Sequence, residues 1–231
     1  MTNKIAVIIP VYNEEKSIKK VINDIPQNII NEVIVVNNNS TDNTVAVAKE
    51  AGATVLNETF QGYGAACLTG IRYCKSKGFD IIVFLDGDYS DYPEEIPEII
   101  NPIINEDYDF IIGSRILGKK EKGALPFQSQ VGSIIAGILI NIFWKVKYTD
   151  LGPFRAIKFD KLLDLEMQDR WYGWTVEMQI KAARDKYKIK EVPVKYRKRI
   201  GQSKVTGTIK GTVMASIIIL STIFKYAFKI K

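Results

Sequence analysis

Two aspartates separated by one glycine, Asp86-Gly87-Asp88, directly follow the apolar run Ile81-Ile82-Val83-Phe84-Leu85. A buried strand ending there holds both carboxylates at its mouth, with Gly87 letting the chain turn. Hard oxygen ligands of this kind suit Mg2+ or Mn2+, which take one or two protein carboxylates and complete their shell with water and substrate phosphate. Gly62-Tyr63-Gly64 opens a predicted helix, where small residues permit close backbone approach and helix N-terminal amides favour an anion. It is not a Walker A loop, since no Gly-Lys-Ser/Thr comes after it, nor a dinucleotide fingerprint, since position 67 is Cys. The 231 residues include no histidine, which excludes an imidazole base and His-ligated zinc and leaves acid–base and metal chemistry to carboxylates.

The elements that must position these groups are legible as an alternation. Apolar, β-branched runs at 5–9, 33–36, 53–56, 81–85 and 110–112 are too continuous for strands with one exposed face, and belong in a buried, mostly parallel sheet. Between them lie helical patterns at 14–25 (Asn13 as N-cap), 41–51 (Ser40 or Thr41 as N-cap), 63–77 and, after Pro93, 94–104. This β-α-β-α order predicts a doubly wound α/β architecture, in which ligands sit beyond the C-terminal strand ends. The segments leaving those ends are polar: Pro10-Val11-Tyr12-Asn13-Glu14, Asn37-Asn38-Asn39-Ser40-Thr41-Asp42, Gly62-Tyr63-Gly64 and Asp86-Gly87-Asp88.

The hydrophobic share of 46% and charged share of 25% describe one globular domain with a substantial core. The formal net charge is +6, and it is unevenly placed: residues 181–231 carry fourteen Lys/Arg against two acids, the rest eighteen against twenty-four. An acidic body with a basic end points to an anionic partner: a phosphate substrate, an acidic membrane surface or nucleic acid. The nucleic-acid reading is set aside, because among the basic residues 195–204 only Tyr196 offers a stacking platform. Cys67 and Cys74, on one predicted helix, would lie about 10 Å apart, beyond disulfide reach. Neither a signal-peptide core nor a span is read near the N-terminus, so a cytoplasmic location is expected. Residues 123–144 are uncharged and read as a core helix or a membrane-contacting one. Residues 211–224, set among Lys210, Lys225, Lys229 and Lys231, read as an amphipathic helix lying in a bilayer interface with anionic lipids. The expected division is a catalytic domain over 1–205 and a basic membrane-associating helix over 206–231.

Taken in order, Pro10-Val11-Tyr12-Asn13-Glu14, Ser40-Thr41-Asp42-Asn43-Thr44, Gly62-Tyr63-Gly64-Ala65, Asp86-Gly87-Asp88 and Gly113-Ser114-Arg115 resemble the family 2 glycosyltransferases. Within them the chain looks most like the dolichyl-phosphate mannose synthase and polyprenyl-phosphate glycosyltransferase group. The resemblance implies the GT-A fold, a Rossmann-like three-layer sandwich around a mostly parallel sheet. It implies a nucleotide-sugar donor held by Pro10, Tyr12, Asn13, Glu14, Gly62 and Gly64, with Asn38 on the base. Asp86 and Asp88 would hold the metal, Mg2+ or Mn2+, while Arg115, Arg199, Ser203 and Lys204 clamp phosphate charge. Such a set fits the charge that builds on a leaving nucleoside diphosphate. Where the family usually has Asp-Asp-Gly-Ser, this chain has Asn37-Asn38-Asn39-Ser40; where the lipid-phosphate enzymes tend to carry an extra Arg, residues 127–133 offer only Gln128, Ser129 and Gln130.

On the acceptor side the resemblance picks out Asp150-Leu151-Gly152-Pro153-Phe154-Arg155 and Trp171-Tyr172-Gly173-Trp174-Thr175-Val176-Glu177, with a helix over 175–185. A hydroxyl acceptor, on a glycolipid or glycan, would call for Glu177 or Asp150 as general base; a phosphate, anionic at neutral pH, needs no base and leaves Glu177 to position it. The expected activity is metal-dependent inverting transfer to a polyprenyl or dolichyl phosphate at the inner face of the membrane. A nucleotidyltransferase is the weaker reading, because no Gly-rich basic loop comes after the first strand.

Overall fold

The computed structural model describes residues 3–201 and 209–228. Strands β1 (Ile5–Val11), β2 (Glu32–Asn37), β3 (Thr54–Asn57), β4 (Ile81–Phe84), β5 (Phe110–Ser114), β6 (Arg155–Lys158) and β7 (Ile189–Pro193) form one sheet in the order β3-β2-β1-β4-β6-β5-β7. Every pairing is parallel except those of β6, which runs antiparallel to both β4 and β5. The five predicted strands are present. The two that the pattern missed carry too few apolar residues to announce themselves: β6 is Arg-Ala-Ile-Lys and β7 is Ile-Lys-Glu-Val-Pro.

Side-chain alternation divides the core between the two faces of the sheet. From β1, Ala6 and Ile8 join one cluster with Cys67, Ile140 and Trp174, while Ile5, Val7, Ile9 and Val11 join the other with Ile18, Ala48 and Ile99. The second face is covered by α1 (Ile18–Asp24), α2 (Thr44–Glu50) and α4 (Ile96–Glu106), the last entered through a single 3-10 turn at Pro93–Glu95. The first is covered by α3 (Tyr63–Cys74), α5 (Phe127–Trp144), α6 (Phe159–Asp164), α7 (Trp174–Arg184) and α8 (Ile209–Ala227). Cys67 and Cys74 are both on α3, buried and unpaired.

Two predicted helix starts are displaced, and the reason bears on the cleft. Asn13 takes a left-handed φ of 55° instead of capping, and its side-chain oxygen accepts the Thr41 amide at 2.8 Å while its own amide donates to Ser40 Oγ at 3.0 Å. The residues expected to cap α1 and α2 thus tie the β1 and β2 loops together, so the helices begin later.

Helix α8 packs against α5 and α7, burying Ile223, Ala215 and Thr222. Its other side leaves Val213, Met214, Ile217 and Phe224 exposed, next to an α5 that exposes Ile134, Ile135, Ile138 and Ile142. Among the described residues α5 is the one helix whose length and apolar composition could cross a membrane. It seats Ser133, Ala136, Gly137 and Ile140 against the domain.

Candidate functional site

Beyond the C-terminal ends of β1, β2 and β4 lies a cleft of about 850 Å3. One wall is lined by Pro10, Val11, Tyr12, Glu14, Asn38, Gly62, Tyr63, Asp86, Gly87 and Asp88. The opposite wall comes from α5 (Gln128, Ser129, Gly132, Ser133), α8 (Ala215, Ser216, Ile219) and the turn carrying Trp171 and Tyr172, with Arg115, Lys198 and Arg199 contributing positive charge.

The acidic turn is stitched to a basic segment beyond β7. Arg197 and Ile200 donate backbone N–H bonds to the carbonyls of Ser90 and Asp88, each at 2.9 Å. The Arg197 side chain donates to the carbonyls of Tyr89 (2.7 Å) and Asp91 (3.0 Å), and its guanidinium lies between the Tyr89 and Tyr92 rings. This clip delivers Arg199 to Asp88, where guanidinium and carboxylate meet at 2.5 Å. Sequence motifs pointed to Arg199; they pointed to neither Arg197 nor Tyr196, whose register against Asp91 exists only in the fold.

Negative charge is in excess here. Burial first, then the neighbouring Asp88 charge, pushes the Asp86 carboxyl up to about 7, only partly opposed by Arg199, Arg115 and the Tyr63 hydroxyl. Asp91, 1% exposed, is pushed well up by burial and by the Asp86 charge. Neither of its carboxylate oxygens, nor the Ser90 hydroxyl, has a hydrogen-bond partner among the described residues. Asp86 and Asp88, two carboxylates on the cleft wall near enough for the charge of one to raise the other, fit the oxygen-donor set of a divalent ion, which they would hold. No cluster of three or more acidic or thiol ligands arises among the described residues. That leaves room for the water and phosphate oxygens with which Mg2+ usually completes its shell. Asp91 and Ser90 were missed, although their place in the same turn was a readable signal.

Several sequence expectations are altered. Gly62 and Gly64 lie close to another stretch of backbone: a Cβ on either would collide with the carbonyl of Arg170 or Asp169, and Gly64 and Ala65 donate to the carbonyls of Trp171 (3.2 Å) and Arg170 (3.0 Å). The α3 N-terminus therefore anchors the 168–173 turn. Gly64→Ala is expected to lower stability by about 1–3 kcal/mol in thermal denaturation; an unchanged midpoint would show that the turn yields freely. Asn38 borders the cleft, but its amide donates to the carbonyls of Glu58 (3.1 Å) and Phe60 (2.8 Å) and accepts from Gly62 at 2.7 Å. Its side chain shapes the loop under the cleft, a task that an aspartate, lacking the donor, could not do.

Neither carboxylate expected to serve as general base lines the cleft. Asp150 is completely buried and takes Arg115 in a two-point pair, Nε at 2.7 Å and Nη2 at 2.8 Å, besides the Arg115 amide and Ser133 hydroxyl. Burial works against its charge, but Arg115 outweighs it and holds the carboxyl below the ordinary range, making it a poor proton acceptor. Its effect is to orient Arg115, whose side chain borders the cleft 12% exposed. Glu177, 1% exposed, accepts from the Gln168 and Asp169 amides, Tyr226 and Lys181. Both lie on structural hydrogen bonds because the helix and turn that carry them fold over the sheet. Asn13 and Gly64 are not among the residues lining the cleft, and Ser203 and Lys204 lie outside the described residues. Arg155, fully buried on β6, bonds the carbonyls of Gly152, Leu151 and Thr175 and so joins the 150–155 and 171–177 segments.

The model for glycosyl transferase family 2 matches residues 6–165. The UDP-N-acetylglucosamine–dolichyl-phosphate N-acetylglucosaminyltransferase of Methanococcus voltae is 31% identical over 212 residues, 83% of this chain and 84% of that one. The undecaprenyl-phosphate mannosyltransferase of Micrococcus luteus is 28% identical over 226 residues, 93% and 92% of the two chains. Among solved structures, glucosyl-3-phosphoglycerate synthase from Mycobacterium tuberculosis, with Mn2+, uridine-diphosphate-glucose and phosphoglyceric acid, superposes with a TM-score of 0.78 at 20% identity. It covers 98% of this chain and 80% of that one, and the likeness shows the GT-A fold.

Proposed function

Since the chain belongs to glycosyl transferase family 2, we propose that it transfers a sugar from a UDP- or GDP-sugar to a polyprenyl phosphate at the cytoplasmic surface of a membrane, inverting the anomeric centre in one displacement. The observation that carries this reading is the distribution of carboxylates around the cleft. Those lining it are Glu14, Asp86 and Asp88, all at the donor end; the acceptor wall has Gln128, Ser129, Ser133, Thr175 and Ser216. A hydroxyl acceptor would require a base on that side, whereas a phosphate is already a nucleophile. The relatives from Methanococcus voltae and Micrococcus luteus, named for dolichyl and undecaprenyl phosphate, support the same acceptor class.

Asp86 and Asp88 would hold Mg2+ or Mn2+, which supplies positive charge opposite the leaving diphosphate. The chain's own residues do the rest. Arg199, fixed on Asp88, and Lys198 border the diphosphate side of the cleft. Arg115, its Nε and Nη2 held by Asp150, presents its remaining donors toward the acceptor phosphate without reorganising. The exposed faces of α5 and α8 would rest on the bilayer, bringing the mouth between them to the lipid phosphate. The reading is tested by nucleoside diphosphate release from UDP- and GDP-sugars, with and without polyprenyl phosphate in detergent. Release that requires the lipid is expected; release equally supported by hydroxyl acceptors would sink the phosphate assignment.

With Asp86 protonating near 7 in the metal-free chain, Mn2+ binding displaces a proton below that pH. Affinity measured by calorimetry should therefore rise with pH and level off above about 7. The group's folded value lies above its ordinary 3.8, so the metal-free fold binds more protons than the unfolded chain between those values and loses stability as pH rises through that window. Separately, Ile138→Glu with Ile217→Glu, both on exposed positions, should abolish co-sedimentation with anionic liposomes while leaving the thermal midpoint unchanged. Retained sedimentation would exclude this face as the contact.

A further inference from the structure

We infer that Tyr226 and Glu177 are positioning residues for the nucleotide cleft, forming a strap through which the seating of α8 sets the turn that carries Trp171 and Tyr172. The inference rests on the proposed binding of a nucleotide-sugar donor in the cleft. Glu177, buried in the first turn of α7, gathers four donors: the amides of Gln168 (3.1 Å) and Asp169 (2.7 Å), Lys181 Nζ (2.9 Å) and the Tyr226 hydroxyl (2.7 Å). One carboxylate therefore joins the C-terminal helix to the backbone entering the 168–173 turn. That turn reaches the donor side directly: the carbonyls of Trp171 and Arg170 take the amides of Gly64 and Ala65, and those of Arg170 and Asp169 leave no room for side chains at Gly62 and Gly64. It also lies on α8, where a Cβ at Gly173 would come within 2.9 Å of Thr222 Oγ1. Trp171, steadied by Phe60 at a ring separation of 5.1 Å, and Tyr172 then share the cleft wall with Ala215, Ser216 and Ile219 of α8.

The chain of contacts is continuous: α8 to Glu177, Glu177 to the turn, the turn to the N-terminus of α3, and α3 to the floor of the cleft. Hydrogen bonds to a buried carboxylate are the strong class, and each one removed loosens the segment it orders. Displacement of α8 is thus felt at the donor subsite without any contact between Tyr226 and the donor.

The test uses the full chain with Tyr226→Phe and, as a conservative companion, Glu177→Gln. Hydrogen exchange by peptide mass spectrometry should quicken about tenfold over 166–173 and 62–67 in Tyr226→Phe, with the β1 and β4 peptides unchanged. UDP or GDP affinity should weaken by a similar factor, appearing in the donor KM with little change in kcat. Glu177→Gln should move the same peptides further, since every donor then loses a charged acceptor. Unchanged exchange over 166–173 in Tyr226→Phe would overturn the strap, and quickened exchange with undiminished nucleotide affinity would overturn the positioning role. A parent chain that binds neither UDP nor GDP is a separate result, visible before any substitution, and it would overturn the donor reading and this inference together.

Discussion

Substitution of Asp88 by Asn is expected to reduce nucleoside diphosphate release by about 10³-fold, close to the loss on removing one strong transition-state electrostatic partner. Asp88 is 4% exposed at the end of β4, with Oδ1 accepting the Ser90 amide at 2.9 Å and Oδ2 on Arg199. The amide keeps the first contact and removes the charge, so the turn should persist while both the metal and Arg199 lose their anchor. Circular dichroism and the thermal midpoint should stay near those of the parent, and calorimetric Mn2+ binding should be lost along with turnover. Near-parental turnover at saturating metal would refute the cation site. Asp88→Ala should be as inactive and less stable, since the Ser90 amide then loses its partner as well.

Asp150→Ala is expected to produce the largest stability loss, about 3–5 kcal/mol, because it leaves the Arg115 guanidinium buried without its counter-charge. Ser133 and the Leu151 amide lose an acceptor at the same time. The pair's contribution is present above the ordinary carboxylate range and fades as pH falls through the depressed value of Asp150, so the difference between parent and variant should shrink in acid. Denaturant titration at neutral and acid pH measures this, and a double-mutant cycle with Arg115→Met separates the pair from the cost of stranding one partner. If Asp150 instead served as a proton acceptor, the variant would lose turnover while keeping its stability.

The part of the cleft at the C-terminal strand ends was legible because it is local. Asp86-Gly87-Asp88 sits on a continuous apolar run, and chain polarity alone places such a turn at the ligand edge of a parallel sheet. The same logic marked Pro10, Tyr12, Glu14 and Asn38 as neighbours of the cleft, and they line it. Element type was carried by apolar continuity, so strands made of continuous apolar runs were readable and β6, with charges at both ends, was not. Helix starts were misplaced where Asn13 and Ser40 bond each other across loops, because a capping residue and a loop-tying residue have the same side chains.

The segments around Asp150 and Glu177 were the harder part, for a physical reason. Glu177 and Asp150 are carboxylates in a suggestive place along the chain, yet a carboxylate's role depends on its partners, among which Arg115 lies 35 residues from Asp150 and Tyr226 lies 49 from Glu177. Composition and spacing by themselves determined the α/β class, the C-terminal concentration of charge, the acidic pair on β4 and the absence of imidazole chemistry. Tertiary structure alone decided that Gly62 and Gly64 receive a turn, that Arg197 clips Arg199 onto Asp88, that Asp91 is buried without partners among the described residues, and that α8 closes one wall of the cleft. Periodicity and turn chemistry act over a few residues and are written along the chain. Desolvation and pairing of charges act between segments that only folding brings together.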